Sequence, residues 1–137
     1  MQELVIDAKN YSAGRLASVV AKQILNGKRV YVVNASEAVI SGNPKYVIEI
    51  YIEKVRRGDP YHGPFYPKTP ERILKRMVRG MLPKKARGRE ALKRLSVFRE
   101  VPEEFKNKSI QRFEGRIQYK SITLKKLSRQ LGGLKNG

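Results

Sequence analysis

The residues with the clearest chemical potential are eight Lys or Arg side chains within RMVRGMLPKKARGREALKRL, residues 76–95, where Glu90 is the only acid. Ammonium and guanidinium groups bind phosphate, and the planar guanidinium can contact two phosphate oxygens at once. So many cations with almost no counter-charge exceed what an ordinary solvated surface needs. The composition of this stretch therefore predicts a polyanion-binding surface.

A helix over residues 72–82 would sort its side chains by charge. Arg72, Lys75, Arg76 and Arg79 fall within an arc of about 100°. The opposite side carries apolar residues, which are Ile73, Leu74, Met77, Val78, Met81 and Leu82. Like charges at positions i, i+3 and i+4 repel each other unless an anion neutralises them. We therefore expect the apolar face of this helix to pack on a core and its cationic face to contact a polyanion. The MLP segment is expected to be buried.

A basic linker follows this helix, because Pro83 ends the helix and further cations come directly after it. They are Lys84, Lys85, Arg87 and Arg89, and a second short helix over residues 88–94 adds Lys93 and Arg94. Gly80 costs the first helix about 1 kcal/mol relative to Ala, which suggests close approach of another backbone there. Two alternatives are a solvated amphipathic surface and a helix lying on a membrane, but the apolar side lacks Trp and Phe.

Charge and composition of the whole chain point the same way. The 137 residues suggest one domain, with a formal net charge of +18 and a pI near 10.4. Residues 54–137 carry 24 of the 30 cations, whereas residues 1–53 are nearly balanced. Nucleic acid is the first candidate partner and an anionic membrane the second. With no cysteine, no apolar run near eighteen residues and no signal-peptide pattern, we expect an intracellular chain without a disulfide, thiolate site or membrane span.

The elements that must position the cations form an α/β pattern. A strand over residues 3–7, a helix between Ser12 and Gly27 and an apolar strand over residues 29–35 predict a βαβ unit. Further strands are predicted over residues 38–41 and 95–100. Residues 43–58 fit both a helix and a strand, and their length and Pro44 favour the helix. Thr69 and Pro70 suit the start of the basic helix, and a last helix is predicted over residues 121–133.

Catalytic candidates are weak. His62 is the only histidine and stands among Tyr61, Phe65 and Tyr66, so RNA contact by stacking and simple loop packing are both open. Residues 14–18 open a helix after a strand, but neither GxGxxG nor GxxxxGK[ST] is present. A nucleotide-using enzyme and a regulatory nucleic-acid-binding module remain as competing hypotheses.

Several short strings carry a family resemblance. GRLAS (14–18), VNA (33–35), ISGN (40–43), VRGMLP (78–83) and GREALKRLSVF (88–98) closely resemble the universal large-subunit ribosomal protein thirteen family. The loop RRGDPYHGPFYPKTPERI resembles its archaeal and eukaryotic branch. The resemblance implies a three-layer α/β/α domain with a four-stranded, mostly parallel sheet and basic helical extensions. It also implies a cytoplasmic structural and assembly protein of the large subunit, without catalysis, cofactor, metal, membrane or small-molecule substrate.

The implied partners are large-subunit ribosomal RNA and neighbouring ribosomal proteins. We expect a single domain over residues 1–137, with a proline-rich loop at 58–70 and a basic C-terminal extension at 105–137 that contains a helix. Both segments are expected to become ordered on assembly. The positions that match the family's motif put RNA contact at Arg79 and from Lys84 to Arg94. Helix geometry adds Arg72, Lys75 and Arg76. The complete candidate set is Lys54, Arg56, Arg57, His62, Arg72, Lys75, Arg76, Arg79, Lys84, Lys85, Arg87, Arg89, Lys93 and Arg94.

Overall fold

A βαβ unit forms the centre of the fold in the computed structural model, which describes residues 2–56, 67–106, 108–112 and 120–133. Strand β1 (Glu3–Asp7) runs parallel to strand β2 (Arg29–Val33), and helix α1 (Ala13–Leu25) connects them. Gly27 has a left-handed φ of 89° just after α1, which a residue without a Cβ adopts without strain. The predicted βαβ unit is confirmed, and so is the prediction that its helix ends before Gly27.

The parallel sheet has four strands in the order β4-β2-β1-β5. Strand β3 (Val39–Ser41) lies outside it, whereas β4 (Leu95–Val97) pairs with β2 and the short β5 (Gln111–Arg112) pairs with β1. The four-stranded α/β fold is confirmed. Residues 38–41 do form the predicted strand, but β3 pairs antiparallel with β6 (Ser121–Thr123) in a separate two-stranded sheet. The predicted helix over residues 121–133 therefore begins late, because its first three residues belong to β6.

Four further helices follow α1. Helix α2 (Pro44–Arg56) confirms the helical interpretation of residues 43–58, and the Asn43 side chain accepts a hydrogen bond from the Lys45 N–H near its start at 3.1 Å. Helix α3 (Pro70–Gly80) begins at the predicted proline. The short α4 (Ala86–Leu92) and the C-terminal α5 (Leu124–Leu131) complete the set, and the side chain of Thr123 caps α5.

The two faces of the parallel sheet are covered differently. Side chains alternate along β1, so Leu4 and Ile6 lie on one face and Val5 and Asp7 on the other. The first face joins a hydrophobic cluster to which buried residues of all five helices belong. On the second face, Val5 and Val33 pack on Phe105, which lies in a short 3-10 turn (Glu103–Phe105). The third layer is thus a thin segment around residues 98–110.

Two predicted segments fall partly outside the described residues. The proline-rich loop at 58–70 is described only from residue 67 onward, and residues 107, 113–119 and 134–137 of the C-terminal extension lie outside the described residues. Among the helices that the structure describes, none is long and apolar enough to cross a bilayer.

Candidate nucleic-acid interface

Helix α3 separates its side chains as its sequence predicts. Ile73 and Leu74 are fully buried and Val78 is 1% exposed, because this side packs on α1, α4 and α5. Arg72, Lys75 and Arg79 are exposed on the other side, and Arg76 is half-buried. The apolar side therefore fixes the orientation in which the cations meet solvent.

Most of these cations have no acidic partner. Within the described residues, no carboxylate lies within ion-pair distance of seven exposed cations on α3, the following linker and α4. We call this set the cationic face: Arg72, Lys75, Arg79, Lys84, Lys85, Arg87 and Arg89. Mutual repulsion along it opposes folding, and a bound polyanion would relieve that repulsion.

The turn between α3 and α4 is held by a close backbone contact. Gly88 in α4 is buried, and a Cβ at this position would overlap the carbonyl oxygen of Pro83. The prediction placed the close approach at Gly80, which is wrong because a Cβ there would meet open space. Glycine is needed where the chain turns back, one helix later than expected.

The MLP segment is only partly buried. Leu82 is 7% exposed and belongs to the core, whereas Met81 is 46% exposed and Pro83 is also exposed. The prediction of a buried MLP is therefore wrong for two of its three residues. Helix α3 ends at Gly80, so the next residues leave the helical register and only Leu82 points back to the core.

A groove runs between the end of α3 and α4. Its floor contains Leu82, Pro83 and Leu92, and its rim carries cations from both helices and the linker. The rim cations are Arg76, Arg79, Lys84 and Arg89. Apolar surface beside guanidinium groups suits stacking of a base together with contact to its phosphate.

Lys93 and Arg94 have partners inside the protein. The Lys93 ammonium lies 3.2 Å from the Glu90 carboxylate, and both side chains are well exposed. The Arg94 guanidinium donates a 2.8 Å hydrogen bond to the carbonyl of Ile24 in the last turn of α1. Arg94 thereby ties the start of β4 to the end of α1, a structural contact that the sequence did not reveal.

The other candidate residues lie on or after α2. Lys54 and Arg56 are exposed near the end of α2, which packs on α5, and the Lys54 ammonium lies 4.7 Å from the centre of the Tyr51 ring. Arg57 and His62 lie outside the described residues. The structure thus brings together the candidates from residue 72 onward, and it places Lys54 and Arg56 on a different helix.

A polar crevice at the other side of the sheet escaped the sequence analysis. It lies where the parallel strands end, and its polar lining residues are Asp7, Lys9, Asn10, Asn34, Lys106 and Arg112. We call it the carboxyl-edge crevice. These residues come from four separate segments of the chain, so no local pattern in the sequence could have joined them.

A bidentate ion pair between Arg99 and Glu71 lies at the same edge of the sheet. Arg99 follows β4, and its Nε and Nη2 lie 3.1 and 3.0 Å from the two carboxylate oxygens of Glu71 in the first turn of α3. Burial alone raises the pKa of Glu71, but the hydrogen bonds and positive charge of Arg99 outweigh it and hold that pKa below its ordinary value. The same pairing raises the pKa of Arg99.

Groups suited to metal binding do not come together in the part of the chain described here. Within it, no three His, Cys, Asp or Glu side chains are grouped closely enough to hold a metal ion. The strongest chemical property of the described surface is the display of unneutralised positive charge, which binds anions rather than activating a nucleophile.

The fold and these surfaces define a basic α/β protein whose positive charge is concentrated on one pair of helices. Residues 1–104 match the family described as Ribosomal protein L13. Among curated relatives, "Large ribosomal subunit protein uL13" of Archaeoglobus fulgidus is 48% identical over 93% of this chain and 86% of its own. Proteins with that name from Thermoplasma volcanium and Aeropyrum pernix are each 46% identical and cover 95% and 96% of this chain, and 98% and 90% of their own.

The chain therefore belongs to the ribosomal protein L13 family, whose members are structural ribosomal proteins rather than enzymes. The relatives named above are archaeal, which agrees with the branch that the loop at residues 56–73 resembles.

Proposed function

We propose that this protein is a cytoplasmic constituent of the large ribosomal subunit that binds and stabilises large-subunit ribosomal RNA. In this role it supports subunit assembly and translation, beside neighbouring ribosomal proteins. The observation that carries the proposal is the cationic face, where seven exposed cations lack an acidic partner within the described residues. Family membership supports ribosomal RNA as the polyanion.

The mechanism we infer is electrostatic docking on a preformed framework. The buried side of α3 and the Gly88–Pro83 contact hold the cations in place before RNA arrives. Each contact with a phosphate releases condensed counterions, so affinity falls steeply as salt rises. The groove between α3 and α4 adds an apolar floor, which favours an unpaired or splayed nucleotide over a plain duplex.

The remaining candidates have graded support. Lys93 and Arg94 retain RNA contact as a prediction, although each also has a partner inside the protein. Lys54 and Arg56 would extend the interface onto α2, and Arg57 and His62 would extend it onto the proline-rich loop. Contacts by these four residues would enlarge the RNA-binding surface beyond the cationic face.

A charge-matched pair of variants tests the proposal. Arg79→Gln with Arg89→Gln removes two cations from the groove rim, and Lys45→Gln with Lys125→Gln removes two exposed cations from α2 and α5. Binding to transcribed large-subunit RNA is measured by filter retention between 50 and 300 mM salt. Loss of two phosphate contacts should lower the slope of log affinity against log salt by about 1.4–1.8 and weaken binding roughly 10- to 100-fold. The control pair should retain the parent slope.

Two outcomes would overturn the proposal. One is equal loss of affinity in both variants, since that would make the effect one of net charge alone. The other is absence of the tagged full chain from large subunits purified by sedimentation at physiological salt. Thermal unfolding of each variant within about 3 °C of the parent excludes loss of the fold as the cause.

A further inference from the structure

We propose that the carboxyl-edge crevice binds one unpaired nucleotide of RNA, as a second contact separate from the cationic face. This rests on the proposed function, because bound ribosomal RNA supplies the nucleotide. The crevice is lined by Asp7, Asn34 and Arg112 together with the other polar residues named above and the apolar Val101 and Ile110.

The first argument is position in the sheet. Strand β1 has β2 on one side, reached through α1, and β5 on the other side, reached much later in the chain. The order of the strands therefore reverses between β1 and β5. In open α/β sheets, ligands bind just beyond the carboxyl ends of the strands at such a reversal. Asp7 ends β1 and Arg112 ends β5, so both lie at this point.

The second argument is an ordered polar network. The Asp7 side chain is 12% exposed, and its Oδ1 accepts hydrogen bonds from the Lys9 N–H at 2.9 Å and from the Asn34 amide at 3.2 Å. Its Oδ2 lies 3.7 Å from the Arg112 guanidinium. A buried carboxylate with these partners fixes the positions of the loop and side chains around it.

The third argument is backbone conformation. Asn10 and Asn34, with φ of 61° and 59°, are the only non-glycine residues with positive φ in the described part of the chain. Both line this crevice, although 24 positions separate them in sequence. Unusual backbone conformations concentrate at binding sites, and a carboxamide offers both donors and acceptors to the edge of a base.

The fourth argument is the mixture of chemistries. Lys9 and Arg112 are exposed, and no carboxylate in the described residues lies within ion-pair distance of Lys9. Lys106 also lines the crevice, and its ammonium is 2.7 Å from the Glu103 carboxylate. The apolar Val101 and Ile110 are half-buried beside these cations. Cations for a phosphate, amides for a base edge and an apolar wall for the base together fit a nucleotide.

An RNA nucleotide fits better than a free one. The sequence lacks the glycine-rich loops whose backbone N–H groups hold the phosphates of free nucleotides. Here the charges are side chains spread around the crevice, which suits single phosphodiesters of a strand passing through it. A free mononucleotide remains as an outcome that the experiment below separates.

The sheet separates this crevice from the cationic face. Asp7 lies on the sheet face covered by the segment around Phe105, whereas α3 and α4 pack on the opposite face. Helix α4 leads into the start of β4, at the other end of the strands, and β1 is about 17 Å long. One protein would thus hold two RNA segments on opposite sides of its sheet.

The test compares three full-length variants with the parent. Lys9→Gln with Arg112→Gln removes crevice cations, and Lys45→Gln with Lys125→Gln is the charge-matched control. Asn34→Gly removes the carboxamide but keeps the left-handed backbone accessible. Binding is measured with large-subunit RNA and with a fully paired RNA duplex, and each protein is also titrated with adenosine and guanosine monophosphate by calorimetry.

The crevice variant should bind large-subunit RNA roughly tenfold more weakly, with a salt slope lower by about 1.4 as for two single-strand phosphates. Asn34→Gly should weaken binding to that RNA severalfold, and neither change should alter binding to the duplex beyond the control. Parent-like binding by the crevice variant, while the groove-rim variant is impaired, overturns this proposal and leaves the proposed function standing. If neither the crevice variant nor the groove-rim variant (Arg79→Gln with Arg89→Gln) binds the RNA more weakly, both this proposal and the proposed function are overturned. Saturable monophosphate binding that only the crevice variant loses, with unchanged RNA binding, replaces RNA by a free nucleotide as the ligand.

Discussion

The cationic face and the carboxyl-edge crevice carry positive charge in different ways. On the cationic face, seven exposed cations rest on a framework of apolar contacts and one close backbone contact, without an acidic partner in the described residues. In the crevice, a buried carboxylate and an amide organise fewer cations through hydrogen bonds. The first arrangement maximises attraction for any polyanion. The second has fewer cations, and it holds them in fixed positions around a crevice of defined shape.

With RNA as the proposed partner, this difference would separate affinity from selectivity. In the proposed function, phosphate contacts on the cationic face would depend on charge and salt and would carry little information about the RNA sequence. Donors, acceptors and an apolar wall in fixed positions can distinguish an unpaired nucleotide from a paired one. Variants that disturb the framework of each region should therefore behave differently, and the effects below are ordered by expected size.

The largest effect is expected at the contact that shapes the cationic face. Gly88→Ala forces a Cβ against the Pro83 carbonyl and should destabilise the fold by roughly 3 kcal/mol, because the obstacle is backbone and cannot move aside cheaply. Gly80→Ala is the control, since a Cβ there meets open space and the change should add up to about 1 kcal/mol of stability. Urea unfolding measures both. Equal stability of the two variants would show that the turn is not held by this contact.

The next effect is expected at the carboxylate that organises the crevice. Asp7→Ala removes the acceptor of two hydrogen bonds from a nearly buried site and should lower the free energy of unfolding by about 2 kcal/mol. Glu3→Ala, at the exposed start of the same strand, should change it by less than about 0.5 kcal/mol. Chemical unfolding at pH 7 gives both values, and similar losses would mean that the network does not depend on Asp7.

The smallest effect is a pH dependence at the edge shared by α3 and β4. Because Arg99 lowers the pKa of Glu71 in the folded protein, this pair stabilises the fold above the unfolded pKa, near 4.3. That contribution is lost as pH falls through the lower, folded pKa. Since the Arg99 side chain is 42% exposed, solvent screening limits the contribution to about 0.5 kcal/mol.

Glu71→Gln should therefore be less stable than the parent at pH 7 and equally stable near pH 3. The exposed Glu104→Gln should follow the parent throughout. Unfolding free energies measured across this pH range decide the matter, and a difference that persists unchanged at pH 3 would assign the effect to packing rather than charge.

Local patterns predicted the elements with regular periodicity. The βαβ unit and the amphipathic α3 were confirmed, because their apolar residues follow the expected pattern. The helix from Pro44 was also confirmed, although its periodicity fits a strand as well, because its length and its first proline favour a helix. The cationic side of α3 could be predicted equally well, since charge and helical position are both local properties of the sequence. These predictions needed no knowledge of distant residues.

Long-range pairing accounts for what the sequence could not supply. Strand β5 has only two residues, Gln111 and Arg112, and both are polar and exposed, so nothing in its composition indicates a strand. Strand β3 was predicted, but its partner β6 lies some 80 residues away. Gly80 and Gly88 could not be distinguished either, since only the path of the linker decides which glycine meets Pro83.

The start of the basic helix depends on α5 and on the residues that directly follow it. The buried Ser128 hydroxyl of α5 donates a 2.6 Å hydrogen bond to the carbonyl of Lys68, and Gly133 packs closely on that same carbonyl. During synthesis the β1–α1–β2 unit can form early, because its contacts are local in sequence. The segment that leads into α3 can be locked only after residues 128–133 have emerged. Ordering of the start of α3 is therefore coupled to synthesis of α5, which delays display of the fully ordered cationic helix until residues 128–133 can pack on it.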